Sequence, residues 1–408
     1  MMNSLEDMGR GIVALQQGRP AEAEALCRRR LLDRPDDVVA LHLLGIAVFS
    51  MGRPAEAVAP LQRAIELDRN DFICLGDLAI VLEAAGRNAE AQAACRRALA
   101  LSPGMERTVA CLVRLLTAGG ALGDAIREGE TFLKDHPDSL PVRQATATAY
   151  VRAVRTGRDQ GEQAAASIRR ALVLDPEQAD AWFESAAALE AAGRLEDSVR
   201  HYREAIRLVP GMAAALNNVG LILARLGRAG EAERALVEAV AHAPNIAEIN
   251  YSLGSFLVNR NRHTEGMPYL ERALAIRPDF TDALVNFGAA LKMAARQIQA
   301  VAVLQKAATI SPGDANVWNN LGLTLRDLGR IEEAIAAHRR AVELAPNHAE
   351  MCSNLIFTRQ YDLAANGKAL LEEARAWESH SRKIPDRVFP NERDADKRLR
   401  VGYLSGDF

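Results

Sequence analysis

The chain has 408 residues, and its 50 basic and 53 acidic side chains give a formal net charge of −3. Such a balance leaves no strong field to favour nucleic acid or an anionic membrane surface as a partner. Apolar residues make up 49% of the chain but aromatic residues only 5%, which is typical of helices packed through Ala and Leu. The N-terminus shows no secretory or organellar leader and the chain has no long apolar run, so we expect a cytoplasmic location.

Prolines recur along most of the chain at intervals that are multiples of 34 residues, apart from one interval of 39: Pro35, Pro103, Pro137, Pro176, Pro210, Pro244, Pro278, Pro312 and Pro346. Counting this proline as position 32 divides the chain into ten repeats: 4–37, 38–71, 72–105, 106–139, 140–178, 179–212, 213–246, 247–280, 281–314 and 315–348. This period resembles that of the tetratricopeptide repeat, a pair of antiparallel helices (A and B) that buries its apolar face by stacking on its neighbours. We therefore predict an all-α fold, a right-handed superhelix of about ten helix-turn-helix repeats.

Small residues at fixed positions of the repeat support this prediction. Position 20, on helix B, is Ala, Ser or Gly in all ten repeats, and position 8, on helix A, is Gly in six of them. A Gly inside a helix costs about 1 kcal/mol relative to Ala, so we expect these glycines to permit close helix crossing. Gly at position 15 predicts a left-handed residue that ends helix A. The fifth repeat is five residues longer, and we expect its insertion to lengthen the loop between its helices.

Position 6 of helix A lies about 200° from the buried positions 4 and 8, and should therefore face the concave side of the superhelix. The C-terminal repeats carry Asn218, Ser252, Asn286, Asn320 and Asn354 there, whereas the N-terminal repeats carry Leu43, Asp77, Cys111, Ala145 and Glu184. A carboxamide can pair with both the N–H and the C=O group of a peptide backbone. We predict that Asn218, Asn286, Asn320 and Asn354 form a ladder that binds protein substrates in an extended conformation. Hydrogen bonding of these side chains to neighbouring helices or to water is the alternative.

The pattern changes after the tenth repeat. We assign residues 1–362 to the repeat array with one extra helix, residues 363–397 to a capping helix and a charged linker, and residues 398–408 to a first β-strand. The strand has no other strand-like segment in the chain to pair with, so it predicts the start of a further domain.

Two short motifs carry a family resemblance. The first is Ser-Asn-Leu-Ile-Phe at 353–357 with Tyr361 and Asp362, and the second is Arg-Leu-Arg-Val-Gly-Tyr-Leu-Ser-Gly-Asp-Phe at 398–408. With the asparagine ladder, they resemble the repeat arm of protein O-GlcNAc transferases of the bacterial SPINDLY-like group. Gln360 stands where that family has asparagine, and Ser252 interrupts the ladder.

The resemblance implies that residues 398–408 open an α/β, two-lobed Rossmann-like glycosyltransferase domain that uses a nucleotide sugar. UDP-GlcNAc is the expected donor, with a fucose donor as the alternative. The repeats would present protein substrates through the asparagines. The catalytic and nucleotide-sugar residues of that family match no position here, so we assign no catalytic and no cofactor-binding residue, and expect residues 1–408 alone to be inactive.

Other kinds of site find little support in the sequence. The eight histidines are scattered singly and the five cysteines form no CxxC pair, so we predict no metal site and reduced core thiols. The alternative to a transferase arm is a free-standing protein-interaction scaffold. A clamp for peptide carboxylates is disfavoured because position 5 of helix A carries neither Lys nor Arg. Self-association, the client proteins and the donor sugar stay open.

Overall fold

The computed structural model of the chain describes residues 2–362 and, after them, residues 367, 368, 371, 372 and 375. This described part contains 21 helices and no strand. The predicted all-α fold is therefore confirmed for the described residues. The predicted strand at 398–408 lies outside them, as does most of the predicted capping helix and linker at 363–397.

Ten consecutive helix pairs correspond to the ten sequence repeats, and one further helix follows. The A helices are α1 (Met2–Gln16), α3 (Val38–Ser50), α5 (Phe72–Ala84), α7 (Glu106–Ala118), α9 (Leu140–Arg155), α11 (Ala179–Ala191), α13 (Ala213–Arg225), α15 (Ala247–Asn259), α17 (Thr281–Met293) and α19 (Ala315–Asp327). The B helices are α2 (Pro20–Asp33), α4 (Pro54–Leu67), α6 (Asn88–Leu101), α8 (Leu122–Asp135), α10 (Gly161–Leu174), α12 (Leu195–Leu208), α14 (Ala229–His242), α16 (His263–Ile276), α18 (Gln297–Ile310) and α20 (Ile331–Leu344). The additional helix α21 spans Ala349–Arg359.

The helices group into two compact units, which meet in sequence between Pro244 and Asn245. Within each unit a helix packs mainly on the helices that precede and follow it in the chain, as stacked repeats require. In the first unit a long apolar cluster runs from Met8 to Ala181 beside a small one of Ala14, Ala23 and Ala47, and the second unit has smaller clusters that succeed one another from repeat to repeat. None of the described helices is both long and apolar enough to cross a membrane.

The end of helix A follows the sequence prediction. The backbone at position 15 is left-handed in most repeats, with Gly18, Gly52, Gly86, Gly120, Gly193, Gly227 and Gly329 at φ between 70° and 80°. In the eighth and ninth repeats this conformation persists without glycine, since Asn261 has φ 61° and Ala295 has φ 58°. The turn geometry of the repeat is therefore imposed by stacking even where the residue does not favour it.

Five of the six glycines at position 8 each lie under one side chain of helix B. The contacting residue is always at position 24: Leu61 on Gly45, Leu236 on Gly220, Leu270 on Gly254, Leu304 on Gly288 and His338 on Gly322. A Cβ atom added to Gly220 would lie 2.6 Å from Cγ of Leu236, a separation that real atoms do not adopt. The predicted packing role of these glycines is confirmed.

The insertion in the fifth repeat differs from the expectation. Helix α9 has 16 residues where α3 has 13, so three of the five extra residues lengthen the helix and only two lengthen the loop. The loop is closed by Asp159, which is 3% exposed and accepts hydrogen bonds from Ser167 Oγ at 2.5 Å and Gln163 Nε2 at 3.0 Å. A carboxylate that is paired in this way satisfies its buried oxygens and fixes the loop.

Candidate functional site

The four asparagines predicted to bind peptide lie at the same position of four A helices. Asn218 is on α13 in the first unit, and Asn286, Asn320 and Asn354 are on α17, α19 and α21 in the second. All four side chains are half-buried. Because α17 packs on α19 and α19 packs on α21, the three asparagines of the second unit recur on adjacent helices. We refer to these three, Asn286, Asn320 and Asn354, as the asparagine row.

Two members of the asparagine row connect neighbouring repeats. Asn286 Nδ2 donates to Tyr251 Oη at 3.2 Å and to Ser255 Oγ at 2.9 Å, both on α15. Asn354 Nδ2 donates to Asn319 Oδ1 at 3.0 Å, on α19. In both cases position 6 of one repeat bonds to position 5 of the repeat before it. The alternative considered from the sequence was a hydrogen bond to a neighbouring helix. It therefore holds for the amide nitrogen of Asn286 and for that of Asn354.

The other two asparagines turn elsewhere because no polar partner is available at position 5 of the preceding repeat. That position is Phe183 before Asn218 and Val285 before Asn320. Asn218 Nδ2 donates instead to the Tyr202 hydroxyl at 2.9 Å, and Asn320 Nδ2 to the Asn316 carbonyl of its own helix at 2.9 Å. The residue at position 5 thus decides what the asparagine contacts.

The carboxamides keep part of their hydrogen-bonding capacity. Among the described residues, none donates a hydrogen bond to the Oδ1 atom of Asn218, Asn286, Asn320 or Asn354. A primary amide has two N–H donors and an oxygen with two lone pairs. Asn218, Asn320 and Asn354 can therefore each hold the intramolecular bond and still offer an acceptor and a second donor to a guest, whereas Asn286 uses both N–H groups and offers its oxygen as an acceptor.

The two tyrosines that accept these bonds stay neutral. Burial raises the pKa of Tyr251 and of Tyr202, and the hydrogen bonds from the asparagines only partly offset that rise. A neutral hydroxyl accepts a hydrogen bond from the amide without burying a charge between the helices. The surroundings of Asn286 and Asn218 are consequently suited to uncharged polar groups, such as the peptide backbone.

A cavity of the first unit lies apart from these asparagines, between α10, α11 and α12. It encloses about 730 Å³ and is lined by Ser185, His201 and Asp197, residue types that occur in hydrolase triads. Ser185 Oγ lies 2.8 Å from His201 Nδ1, and burial lowers the pKa of His201. Asp197, however, is hydrogen-bonded to Arg194 and Arg200, so the described contacts do not connect it to the imidazole. The arrangement does not form the serine–histidine–aspartate relay.

Comparison with protein families identifies the repeat. Models described as tetratricopeptide repeat match residues 14–73, residues 152–213, 188–240 and 219–279, and residues 315–348. The matched ranges together cover more than half of the 408 residues. No curated protein matches the chain.

Similar solved structures include YrrB, described as a tetratricopeptide-repeat protein with an unusual peptide-binding site, at 22% identity and TM-score 0.42 over 47% of this chain and 97% of that chain. MamA from Desulfovibrio magneticus RS-1 is 26% identical with a TM-score of 0.38, over 41% of this chain and 94% of that one. Yeast Tom70 is 14% identical with a TM-score of 0.41, over 92% of this chain and 99% of its own. The repeat models and the ten helix pairs agree, and the chain belongs to the tetratricopeptide-repeat proteins.

Proposed function

We propose that the protein is an interaction scaffold that binds extended segments of other proteins through the asparagine row. The observation that carries this proposal is the recurrence of Asn286, Asn320 and Asn354 at one position of adjacent A helices, each half-buried with an unoccupied Oδ1 atom within the described structure. An extended chain advances about 3.3 Å per residue and adjacent helices lie about 10 Å apart. One carboxamide would therefore meet the guest backbone at about every third residue.

Binding of this kind would depend on the backbone of the guest more than on its sequence. Each carboxamide oxygen can accept from a backbone N–H whatever side chain the guest residue carries, and Asn320 and Asn354 also keep an N–H group that can donate to a backbone C=O. Asn218 belongs to the first unit and would act in the same way on its own helix. The unpaired state of the five cysteines agrees with a reducing, cytoplasmic location, which we include in the proposal.

The triple variant N286A/N320A/N354A is expected to bind peptides less tightly. Each lost hydrogen bond should cost about 0.5–1.5 kcal/mol, so the dissociation constant should rise at least about tenfold. The measurement is fluorescence anisotropy with a panel of labelled 12-residue peptides of unrelated sequence. Backbone N-methylation of a binding peptide should weaken binding to the parent chain but not to the triple variant.

Tyr251→Phe is the matched control for this experiment. It removes the hydroxyl that receives a bond from Asn286 while leaving the carboxamide in place. If the asparagines bind the guest, Tyr251→Phe should cost much less peptide affinity than the triple variant. An equal loss in Tyr251→Phe and in the triple variant would mean that these asparagines only join repeats, and the binding proposal would be wrong.

A finer proposal is that these repeats are the substrate-recognition arm of a protein O-glycosyltransferase. Its support is the sequence resemblance of residues 353–362 and 398–408 to the SPINDLY-like group, together with the asparagines at position 6. We expect a chain extended past Phe408 through a complete glycosyltransferase domain to transfer GlcNAc from UDP-GlcNAc, or fucose from its nucleotide donor, to Ser or Thr hydroxyls of a bound protein.

Sugar transfer can be measured with radiolabelled UDP-GlcNAc and, in a parallel reaction, with a labelled nucleotide-fucose donor. Residues 1–408 alone should show no transfer, and the extended chain should lose transfer when the asparagine row is replaced by alanine. Transfer by residues 1–408, or an extended chain that is inactive with both donors, would contradict this assignment. The scaffold proposal is tested separately by peptide binding.

A further inference from the structure

A cluster of metal-ligating side chains lies between the second and third repeats, in the first unit. His42 is on α3, Asp71 immediately precedes α5, and Cys74 is in the first turn of α5. One ligand atom of each residue lies within 4.8 Å of those of the other two. His42 and Asp71 are half-buried and Cys74 is fully buried. Repeat stacking thus assembles residues that are too far apart in sequence to form a recognisable motif.

We propose that His42, Asp71 and Cys74 bind a divalent late first-row metal ion, with Zn²⁺ as the best fit. One imidazole, one thiolate and one carboxylate form a mixed nitrogen, sulfur and oxygen set that suits Zn²⁺, whereas Mg²⁺ and Ca²⁺ prefer oxygen alone. The ion would join α3 to α5 and so connect two repeats. A tetrahedral centre has four positions, and the fourth would hold water or a group from a binding partner.

Asp77 prepares His42 for this role. Its Oδ2 atom lies 2.9 Å from Nε2 of His42. A carboxylate acceptor at Nε2 keeps the proton on that nitrogen and leaves a lone pair on the other ring nitrogen. Pairs of carboxylate and histidine are the usual outer partners of metal-bound imidazoles.

Asp71 and Cys74 also have lone pairs that could bind a metal ion. Asp71 is the N-cap of α5, where its Oδ1 atom accepts the Cys74 backbone N–H at 2.9 Å, and its Oδ2 atom remains for the ion. The Cys74 thiol has only a long contact to the Leu61 carbonyl, with Sγ 3.8 Å from the oxygen. Ligand atoms of a tetrahedral Zn²⁺ centre are about 3.5 Å apart, so side-chain shifts of about 1 Å complete the geometry.

Metal binding requires Cys74 to lose its proton. Burial, reinforced by the charges of Asp71 and Asp77, raises the pKa of Cys74 to about 12, so the thiol is neutral when no ion is bound. Binding breaks the S–H bond, forms an S–metal bond and releases one proton to solvent, with no change in oxidation state. The same acidic neighbours that disfavour a bare thiolate stabilise the divalent cation.

The proposal is tested by titrating the full chain with Co²⁺ and then competing with Zn²⁺. We expect one equivalent of Co²⁺ to give a thiolate-to-metal charge-transfer band, and Zn²⁺ to displace it. Cys74→Ser should abolish the band, and His42→Ala should weaken the apparent Zn²⁺ affinity at least about 100-fold. Asp77→Asn should weaken it about 10- to 100-fold, as expected for an outer partner.

Cys27→Ser is the matched control, because Cys27 is another fully buried thiol of the first unit whose pKa burial raises to about 12. It should keep the charge-transfer band. Circular dichroism establishes that each variant is folded, and His42→Ala changes a partly exposed side chain, so it remains informative if Cys74→Ser fails to fold. Absence of a thiolate band in the parent chain, or a band that survives in both Cys74→Ser and His42→Ala, would overturn the proposal.

Discussion

Replacing His338 by leucine is expected to stabilise the second unit and to remove much of its sensitivity to acid. His338 is 0% exposed, and neither ring nitrogen has a hydrogen-bond partner among the described residues. It lies on Gly322 at the place where Leu236 lies on Gly220 and Leu304 lies on Gly288. Leucine at 338 would therefore fill a space that the repeat already accommodates, and it would remove two unpaired polar atoms from the core.

The pH dependence follows from the direction of the pKa shift. Burial, helped by the positive charge of Arg326, lowers the pKa of His338 from 6.5 to about 4. The unfolded chain takes up the proton more readily than the folded one, so folding is favoured fully above about pH 6.5 and progressively less as the pH falls towards 4. A shift of this size corresponds to about 3 kcal/mol between these limits.

The measurement is urea-induced unfolding at pH 7 and pH 5, with hydrogen exchange of α19 and α20 as the local readout. His338→Leu should be more stable than the parent at both pH values, and the difference in unfolding free energy between the two chains should be larger at pH 5. The control is His348→Leu, because His348 is exposed and should change the pH dependence little. A His338→Leu chain that is as acid-sensitive as its parent would show that other groups govern the loss of stability.

The second large effect is expected at the helix crossings. Gly220→Ala should destabilise the first unit by about 1–3 kcal/mol, although alanine favours a helix by about 1 kcal/mol over glycine. The new Cβ would lie 2.6 Å from Leu236 Cγ and 3.2 Å from the Ala232 carbonyl oxygen. Neither the branched carbon of a buried leucine nor a helix carbonyl can move away cheaply.

Gly230→Ala is the matched control on the neighbouring helix. No described atom lies within 4 Å of a Cβ placed on Gly230, so this change should be neutral or should stabilise by up to about 1 kcal/mol. Thermal and urea unfolding of the two variants gives the comparison, and Leu236→Ala combined with Gly220→Ala should lose less stability than the sum of the two single changes, because the cavity left by Leu236 accommodates the new Cβ atom. If Gly220→Ala were as stable as Gly230→Ala, close packing of α14 on α13 would not be the reason for glycine at position 220.

The repeat architecture could be predicted from the sequence because its determinants are local and periodic. The proline at position 32, the small residue at position 20 and the left-handed residue at position 15 recur in nearly every unit, and the helix pairs follow them. How the five inserted residues of the fifth repeat are divided between helix and loop could not be predicted in this way. Whether extra residues extend helix α9 or the loop depends on Asp159, whose partners Gln163 and Ser167 are identified only by the fold.

The site was predictable only in part. The common position of the asparagines could be read from the period, but their hydrogen bonds depend on the residue one position earlier in the preceding repeat. Tyr251 and Asn319 attract the amides of the next helix, whereas Val285 offers no acceptor. The cluster of His42 and Cys74 was missed for a related reason, because 32 residues separate them and only stacking brings them together.

The bonds between positions 6 and 5 have a consequence for how the repeats respond to a guest. When the Oδ1 atom of a carboxamide accepts a hydrogen bond, the amide becomes more polarised and its N–H group becomes a stronger donor. A peptide bound to Asn286 would thereby strengthen the hydrogen bond from Asn286 to Tyr251. A peptide bound to Asn354 would do the same for the bond from Asn354 to Asn319. Occupancy at one helix would stiffen its junction with the helix before it, so that the array would become more rigid as more of a guest chain is engaged.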